Sequence, residues 1–302
     1  MAGFKELRTR IESVKSTHKI TSAMKLVAAS RLRKAEGLLH KSEFYNHNLA
    51  ANAYRLLHQM KTDDVAYVYP ELMTMRANPL NYLLLVFTSD RGLCGNFNQL
   101  VAKQAIARAE ELLEQGKEVQ IICAGKKGKD IIKRKHPSLI VDCIEDIAHK
   151  GVKYYEGVDL AERITKMFKN KEIDVCEVVA TNFKSVMNRE NYCHQVLPIK
   201  IEEFPYNKVN EPMTIIRGAF YEYEPNKLEL LTHMMPLLLR ATMFQVIANS
   251  QACEHGARMT SMDNATNNAK DMMSGLTLKY NRLRQNAITT ELIEIIAGAE
   301  AL

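Results

Sequence analysis

An amphipathic pattern runs through residues 4–35, FKELRTRIESVKSTHKITSAMKLVAASRLRKA. The stripe advances mostly by three or four residues and consists of Phe4, Leu7, Ile11, Val14, His18, Thr21, Met24, Val27, Ala28, Leu32 and Ala35. Such spacing is typical of an amphipathic or coiled-coil helix, in which a polar stripe position weakens the pairing but fixes its register. We therefore predict a helix that runs to about Met60 and is ~90 Å long.

Proline placement separates both ends of the chain from its middle. The first proline is Pro70 and the last is Pro236, and proline is excluded from helix interiors because it lacks an N–H and clashes with the preceding turn. The C-terminal flank, which we predict as a helix from about Leu237, carries two apolar stripes and a row of small residues that lets another helix approach closely. The stripes are Leu276, Tyr280, Leu283 and Ala287, then Ile288, Leu292, Ile295, Ala299 and Leu302; the small row is Ala257, Ser261, Ala265 and Ala269.

Both predicted helices need a partner, because a single helix of this length is not stable in water on its propensity alone. The two flanks have matching lengths and lie at opposite ends of the chain. We therefore predict that they pair with each other as a long antiparallel two-helix coiled coil. The alternative is that two unrelated helices pack into a compact bundle, although such bundles use shorter helices.

The middle of the chain alternates between apolar strand-like runs and helical patterns. Strands are predicted at 81–89, 118–124, 139–143 and 173–181, an edge strand at 192–199, and helices at 99–115, 126–135 and 157–169. This alternation indicates a parallel, Rossmann-like α/β sheet inserted between the paired helices, so the fold class is α+β overall. The predicted divisions are an N-terminal coiled-coil helix (1–60), a connection (61–80), the α/β domain (81–205), a foot region with the lead-in to the closing helix (206–236), and a C-terminal coiled-coil helix (237–302).

The loops that follow the first two strands are the places where α/β proteins bind phosphates. Neither Ser89–Asn98 nor Gly125–Lys129 contains GxGxxG or GxxxxGK[ST]. Tight turns or docking loops therefore explain them better than phosphate binding does. Cys94 has no neighbouring histidine to act as a base, and the histidine spacing fits no helical metal-ligand pair. We expect no catalytic, cofactor or metal site.

Composition and charge narrow the functional classes. The chain has 302 residues, 46% of them hydrophobic and 25% charged, and no run approaches the ~18 apolar residues of a membrane span. We expect no signal peptide, and the six scattered cysteines indicate free thiols in a reducing compartment. Residues 1–42 contain ten Lys or Arg against three Glu, a net charge of +7. Such a basic helix predicts an acidic partner, which is nucleic acid, anionic lipid or an acidic protein loop.

Three stretches resemble the gamma subunit family of F-type ATP synthases. They are ITSAMKLVAAS at 20–30, SDRGLCG at 89–95, and residues 254–302 with the ending ITTELIEIIAGA at 288–299. The resemblance covers both ends and the centre of the chain, and the C-terminal stretch is long and specific. Asn96 departs from the family, in which many members carry glycine, and this concerns only the conformation of one loop.

The resemblance implies the central-stalk rotor of a proton-translocating ATP synthase, a subunit that is not itself catalytic. In that family the coiled coil stands inside a ring of alpha and beta subunits. The α/β domain sits below the ring, with the epsilon subunit, on the proton-driven c-ring. Rotation couples proton flow to ATP synthesis or hydrolysis on the beta subunits, and the gamma subunit binds no nucleotide and does not insert into the membrane.

The same resemblance implies three groups of partner-binding residues. A basic collar with Met24, Lys25, Arg31, Arg33 and Lys34 faces acidic loops of the surrounding subunits. Three residues of the closing helix contact the catch loops of the beta subunits, namely Arg284, Gln285 and Thr289. A foot that meets the c-ring contains Tyr221, Tyr223 and Glu224.

Two other functions stay open at this point. The basic N-terminal flank fits a nucleic-acid-binding helical rod with an α/β arm, although that flank has few aromatic residues for base stacking. A nucleotide-dependent enzyme built on the α/β domain lacks a catalytic constellation. We expect the chain on the cytoplasmic face of a bacterial inner membrane, with the matrix face of the mitochondrial inner membrane as the alternative.

Overall fold

The computed structural model describes residues 2–62, 69–148, 151–201 and 222–300. The chain divides into two compact units, and each is described by itself. The paired-end unit comprises Met1–Ala29 and Arg258–Leu302, and the central unit comprises Ser30–Ala257. The two terminal helices contribute residues to both units.

The terminal helices are α1, Ala2–Thr62, and α5, Lys227–Glu300. The predicted end of α1 is within two residues of the observed one, but α5 begins ten residues before the predicted start at Leu237. Asn226 explains the earlier start, because its Oδ1 accepts a 2.8 Å hydrogen bond from the N–H of Glu229, as an N-cap residue does. Pro236 therefore lies inside the helix, and the prediction was wrong to treat it as a boundary.

The central unit contains one five-stranded sheet with the order β3-β2-β1-β4-β5. Strands β1 to β4 are parallel and β5 is antiparallel to β4 at the edge, so the predicted α/β domain with an added edge strand is confirmed. The elements are β1 (Asn81–Phe87), α2 (Phe97–Glu114), β2 (Glu118–Ala124), α3 (Lys126–Ile132), β3 (Ile140–Ile144), α4 (Tyr154–Lys169), β4 (Val175–Phe183) and β5 (Arg189–Leu197).

Alternate residues of the sheet enter two different cores, as the period of two in a strand requires. Leu83, Leu85 and Phe87 of β1 pack in a core with α1, α4 and α5. Leu84 and Val86 pack in a core with α2 and α3 on the opposite face. All five side chains are at most 2% exposed, which explains why the strand reads as a continuous apolar run.

Polar contacts join the terminal helices in both units, and the two pairs in the paired-end unit fix an antiparallel direction. In the paired-end unit, Thr266 Oγ1 donates to Thr21 Oγ1 at 2.9 Å, and Lys25 Nζ lies 2.6 Å from Asp263 Oδ1. In the central unit, Asn46 Nδ2 donates to Gln245 Oε1 at 2.5 Å. The predicted antiparallel pairing is therefore confirmed. One stripe residue was wrongly assigned, since Val27 is 54% exposed whereas its neighbour Ala28 is buried.

Among the described residues, α5 is the one helix whose length and mean hydropathy, 1.3 over its most apolar window, would suffice for a membrane span. That window is 61% buried inside the molecule. Burial of this extent is usual for the core helix of a soluble protein, so the test gives only weak support for a membrane span.

Helices α4 and α5 approach each other closely at Gly157. A Cβ atom at this position would lie 2.7 Å from the backbone nitrogen of Phe244. Because that neighbour is backbone, we expect Gly157→Ala to destabilise the chain by about 1–3 kcal/mol, as overpacking of a core does. The shift in the urea-unfolding midpoint measures the effect.

Gly275→Ala is the matched control, because this exposed position in α5 has nothing within 4 Å of the added methyl group. We expect it to raise stability by up to about 1 kcal/mol, because alanine is the better helix former. Equal destabilisation by both substitutions would contradict the close approach of α4 to α5.

Candidate functional site

The carboxyl edge of the parallel sheet is the first place to look for a ligand, because doubly wound sheets bind ligands there. The loop after β1 contains Asp90, whose two carboxylate oxygens bridge the loops that follow β2 and β3. Oδ1 accepts a hydrogen bond from the N–H of Lys126, and Oδ2 accepts one from the N–H of Asp146, both at 2.9 Å. The N–H group that begins α3 is thus bonded to an anion supplied by the chain itself.

The two glycines after β2 also have a packing role. A Cβ atom at Gly125 would lie 2.3 Å from the carbonyl oxygen of Thr88, and one at Gly128 would lie 2.5 Å from Thr88 Oγ1. The N–H of Gly128 donates to that hydroxyl at 2.9 Å. Gly125 therefore lets the chain turn over the end of β1, and Gly128 lets the first turn of α3 pack against Thr88. The positive φ of Gly125, 113°, agrees with a tight turn at that residue, whereas Lys126–Lys129 already belong to α3.

Cys94 belongs to a buried hydrogen-bonded cluster that folds the same loop. Asn98 Nδ2 lies 2.8 Å from Ser89 Oγ and 3.1 Å from Cys94 Sγ, while Asn98 Oδ1 accepts the N–H of Ser89. These hydrogen bonds hold the loop in its folded conformation, so Cys94 has a structural role.

Two other cysteines are buried in the central unit. Burial raises the pKa of the Cys123 thiol and of the Cys253 thiol to about 12, so both remain protonated at neutral pH.

The predicted collar residues on α1 differ in their surroundings. In the paired-end unit, Met24 is half-buried and Lys25 pairs with Asp263. The charge of Lys25 is therefore offset within the chain, although the pair remains about 40% exposed at each side chain (41% and 44%). Asp263 was not predicted as the partner of Lys25, because no sequence pattern relates two residues that lie 238 positions apart.

The collar residues of the central unit point to solvent. Arg31, Arg33 and Lys34 are exposed, while the neighbouring stripe residues Leu32 and Ala35 are buried. None of the three has a carboxylate partner among the residues that the structure describes. This group presents three uncompensated positive charges within four consecutive residues of α1.

The C-terminal part of α5 presents exposed side chains. Arg284, Gln285 and Thr289 are exposed, and the hydroxyl of Thr289 donates to the carbonyl of Gln285 at 2.9 Å. Large apolar side chains on this segment are 54–68% exposed, namely Leu292, Ile293, Ile295 and Ile296.

The foot residues are only partly described. Tyr221 lies outside the described residues. Tyr223 packs against the core that contains α1, α4 and α5, and the ammonium of Lys227 lies 5.8 Å from the centre of its ring. Glu224 is exposed. Of this group, Glu224 is the described residue whose charged group is available to a partner.

The comparisons with known proteins agree over the full chain. The family model described as ATP synthase matches residues 3–302. ATP synthase gamma chains from Paramagnetospirillum magneticum and Sinorhizobium medicae are each 40% identical over 302 residues, and each match covers 100% of both chains. The protein of Paracoccus denitrificans with the same name is 39% identical over the same length.

Solved structures give the same fold at lower sequence identity. A chain of the central stalk and c-ring of the Tetrahymena thermophila mitochondrial ATP synthase is 20% identical with a TM-score of 0.56, covering 82% of this chain and 99% of that one. A chain from the Euglena gracilis mitochondrial ATP synthase is 16% identical with a TM-score of 0.63, covering 99% of this chain and 94% of that one. Terminal helices combined with a central sheet are thus an architecture found in solved ATP synthases.

Proposed function

The chain belongs to the ATP synthase gamma chain family and is a central-stalk rotor subunit of the F-type enzyme, and from that premise we propose how its parts divide the work. It transmits torque between the c-ring and the catalytic alpha and beta subunits, and so couples proton flow to ATP synthesis or hydrolysis. The comparisons favour this function over the nucleic-acid-binding alternative, for which the +7 charge of residues 1–42 was the only motive.

The observation that carries the proposal is the exposed apolar end of α5. Four large aliphatic side chains between Leu292 and Ile296 are more than half exposed, at 54–68%. A monomeric protein rarely leaves such a patch in water. An apolar surface that offers no directional hydrogen bonds suits a helix that turns inside a sleeve of other subunits. The surrounding alpha and beta subunits are the proposed sleeve.

The three residue groups are the proposed contacts with those partners. Met24, Lys25, Arg31, Arg33 and Lys34 form the collar toward acidic loops of the ring, and Arg284, Gln285 and Thr289 contact the beta subunits. Tyr221, Tyr223 and Glu224 meet the c-ring, beside the epsilon subunit. The exposure of Arg31, Arg284 and Glu224 supports these assignments, because a contact residue must be accessible in the free chain.

We propose that the subunit itself is non-catalytic and binds no nucleotide. Two contacts at the carboxyl edge of the sheet support this proposal. Asp90 accepts the hydrogen bond of the Lys126 N–H that a phosphate would otherwise accept, and Thr88 fills the space beside Gly125 and Gly128. The bacterial relatives support a peripheral location on the cytoplasmic face of a bacterial inner membrane. The matrix face of a mitochondrial inner membrane is the alternative.

Purification of the tagged chain from its native cells tests the function. We expect it to bring down two different ATPase-type subunits in stoichiometric amounts, and we expect the separated chain to bind no ATP in equilibrium dialysis at micromolar concentration. Recovery of nucleic acid without those subunits would overturn the rotor assignment. Stoichiometric ATP binding to the separated chain would overturn the non-catalytic assignment alone.

Charge reversal of the collar should weaken coupling through electrostatics. In the triple variant Arg31→Glu, Arg33→Glu and Lys34→Glu, like charges would face the proposed acidic loops. We expect the loss of ATP hydrolysis by the assembled complex to be greatest at low salt, because the screening length grows from about 8 Å at 0.15 M to about 30 Å at 0.01 M ionic strength. Steady-state hydrolysis assays across this range measure it.

The matched control is a triple glutamine variant at the same three positions, which removes the charges without reversing them. It should show a smaller defect with the same direction of salt dependence. A charge-reversal defect that is independent of ionic strength would mean that these residues act through packing.

A further inference from the structure

Helix α5 crosses the carboxyl edge of the sheet. Its residues between Leu231 and Ile247 belong to the core on the face shared with α1 and α4. Further along the helix, Cys253 and Ala257 belong to the core on the opposite face, together with α2 and α3. The helix therefore passes from one face of the sheet to the other between residues 247 and 253.

The crossing occurs at a special place in the topology. The strand order β3-β2-β1-β4-β5 reverses direction between β1 and β4. In doubly wound sheets the crevice outside the carboxyl ends of these two strands is where a ligand binds. In this protein two side chains of α5 contact the end of β4, namely the amide of Asn249 and the thiol of Cys253.

Asn249 makes two polar contacts with the end of β4. Its Oδ1 accepts a 2.8 Å hydrogen bond from the N–H of Phe183, and its Nδ2 donates a 2.9 Å bond to Asn182 Oδ1. Cys253 Sγ, one turn away, lies 3.4 Å from the carbonyl oxygen of Thr181. Asn249 is fully buried, with 0% of its surface exposed.

We propose that Asn249 is a positioning residue that locks the α/β domain to α5, so that the sheet and the closing helix turn as one body. This inference rests on the rotor function proposed above. Apolar packing resists separation of a helix from a sheet, but it has little directional preference. A buried polar residue at a packing seam selects one register, because every other register leaves its partners unsatisfied.

Other registers of α5 against β4 would leave polar groups without partners on both the helix and the strand. A shift of α5 would leave the partly buried N–H of Phe183 without this acceptor and the buried amide of Asn249 without these two partners. Torque applied to the α/β domain acts to produce such a shift. The two hydrogen bonds therefore oppose slippage at the point where α5 passes over the edge of β4.

Amide hydrogen exchange tests the lock directly in the assembled catalytic complex. With Asn249→Leu, we expect the Phe183 amide to exchange roughly 10- to 100-fold faster, the factor that corresponds to the loss of one or two partly buried hydrogen bonds. Val178 and Val179, in the middle of the same strand, should keep their protection. Unchanged exchange at Phe183 would overturn the proposal.

A second measurement separates positioning from mere stability. A bead attached through Met187→Cys, at an 82% exposed position between β4 and β5, reports the angular fluctuation of the α/β domain while the catalytic ring is immobilised. Val246→Ala is the control, because it removes packing from the same helix at a 1% exposed position without touching the hydrogen bonds of Asn249. We expect Asn249→Leu to increase the angular variance well beyond the increase that Val246→Ala causes.

Equal variance in the two variants would mean that Asn249 contributes only stability, and the inference would be wrong. The outcome is distinguishable from failure of the rotor function itself. If the unaltered chain did not assemble with the catalytic subunits, the proposed function would fail before any variant was compared.

Discussion

A proline at position 28 should abolish proton-driven ATP synthesis. Ala28 lies in the interior of α1 and is 2% exposed. Proline there removes a helical hydrogen bond and clashes with the preceding turn, which destabilises the helix locally by about 3 kcal/mol or more. The distortion would fall on the face that packs against α5. ATP synthesis by membrane vesicles containing Ala28→Pro, at matched amounts of assembled complex, measures the effect.

Met75→Pro is the control for this variant. Met75 is 49% exposed and lies outside the helices, and the residue before it, Thr74, has φ −82° and ψ 116°. That extended conformation is the one a residue preceding proline prefers. We expect normal synthesis with Met75→Pro. Normal synthesis with Ala28→Pro as well would show that an uninterrupted α1 is not needed for coupling.

Alanine at Arg284 and Gln285 should alter ATP hydrolysis by the detached, soluble catalytic complex. Both residues are exposed in the free chain, and the proposal assigns them to the beta subunits. Truncation leaves a partner group unpaired, at about 1–3 kcal/mol if that group is buried in the complex. A change of that size corresponds to a several-fold to hundredfold change in a rate or affinity. Steady-state hydrolysis by the soluble complex is the measurement.

The foot residues should fail in a different assay. The variant Tyr221→Phe, Tyr223→Phe and Glu224→Gln keeps both rings, so it spares the packing of Tyr223 against the core. We expect soluble hydrolysis to stay near normal, because the detached complex lacks the c-ring, and proton-coupled synthesis in membranes to fall. If the foot variant impaired soluble hydrolysis as much as the Arg284 and Gln285 variant does, the division into shaft and foot would be wrong.

The regular elements were predictable because their signals are local. The stripe on α1 and the apolar run of β1 both depend on residues that are close in sequence, and the structure has both elements. The start of α5 was predicted wrongly. Pro236 indicates a helix boundary more strongly than the N-cap residue Asn226 indicates a helix start, so the prediction followed the proline. Tertiary packing overrides the proline, since the helix on both sides of it is buried against α4 and the sheet.

The functional details were less accessible to sequence analysis, because they depend on contacts between distant segments. The sequence places Asp90 in the loop after β1, where a ligand site was considered. Its hydrogen bonds with the N–H groups of Lys126 and Asp146 span 36 and 56 residues and could not be predicted from local sequence. Lys25 was predicted as a partner contact, and its pairing with Asp263, 238 residues away, leaves no local trace. The exposure of Arg31 and Arg284 agrees with a contact role, which stays a prediction.

The pairing of the two chain ends has a consequence for biosynthesis. Thr21 meets Thr266 across 245 residues of sequence, so the stripe of α1 is without its partner until nearly the whole chain has been translated. At about 5–20 residues per second this delay is roughly 10–50 s. During that time a nascent chain exposes the apolar residues of this unpaired segment to the crowded surroundings of the ribosome. Production of this subunit should therefore depend on a chaperone that shields the N-terminal segment until the C-terminal one emerges.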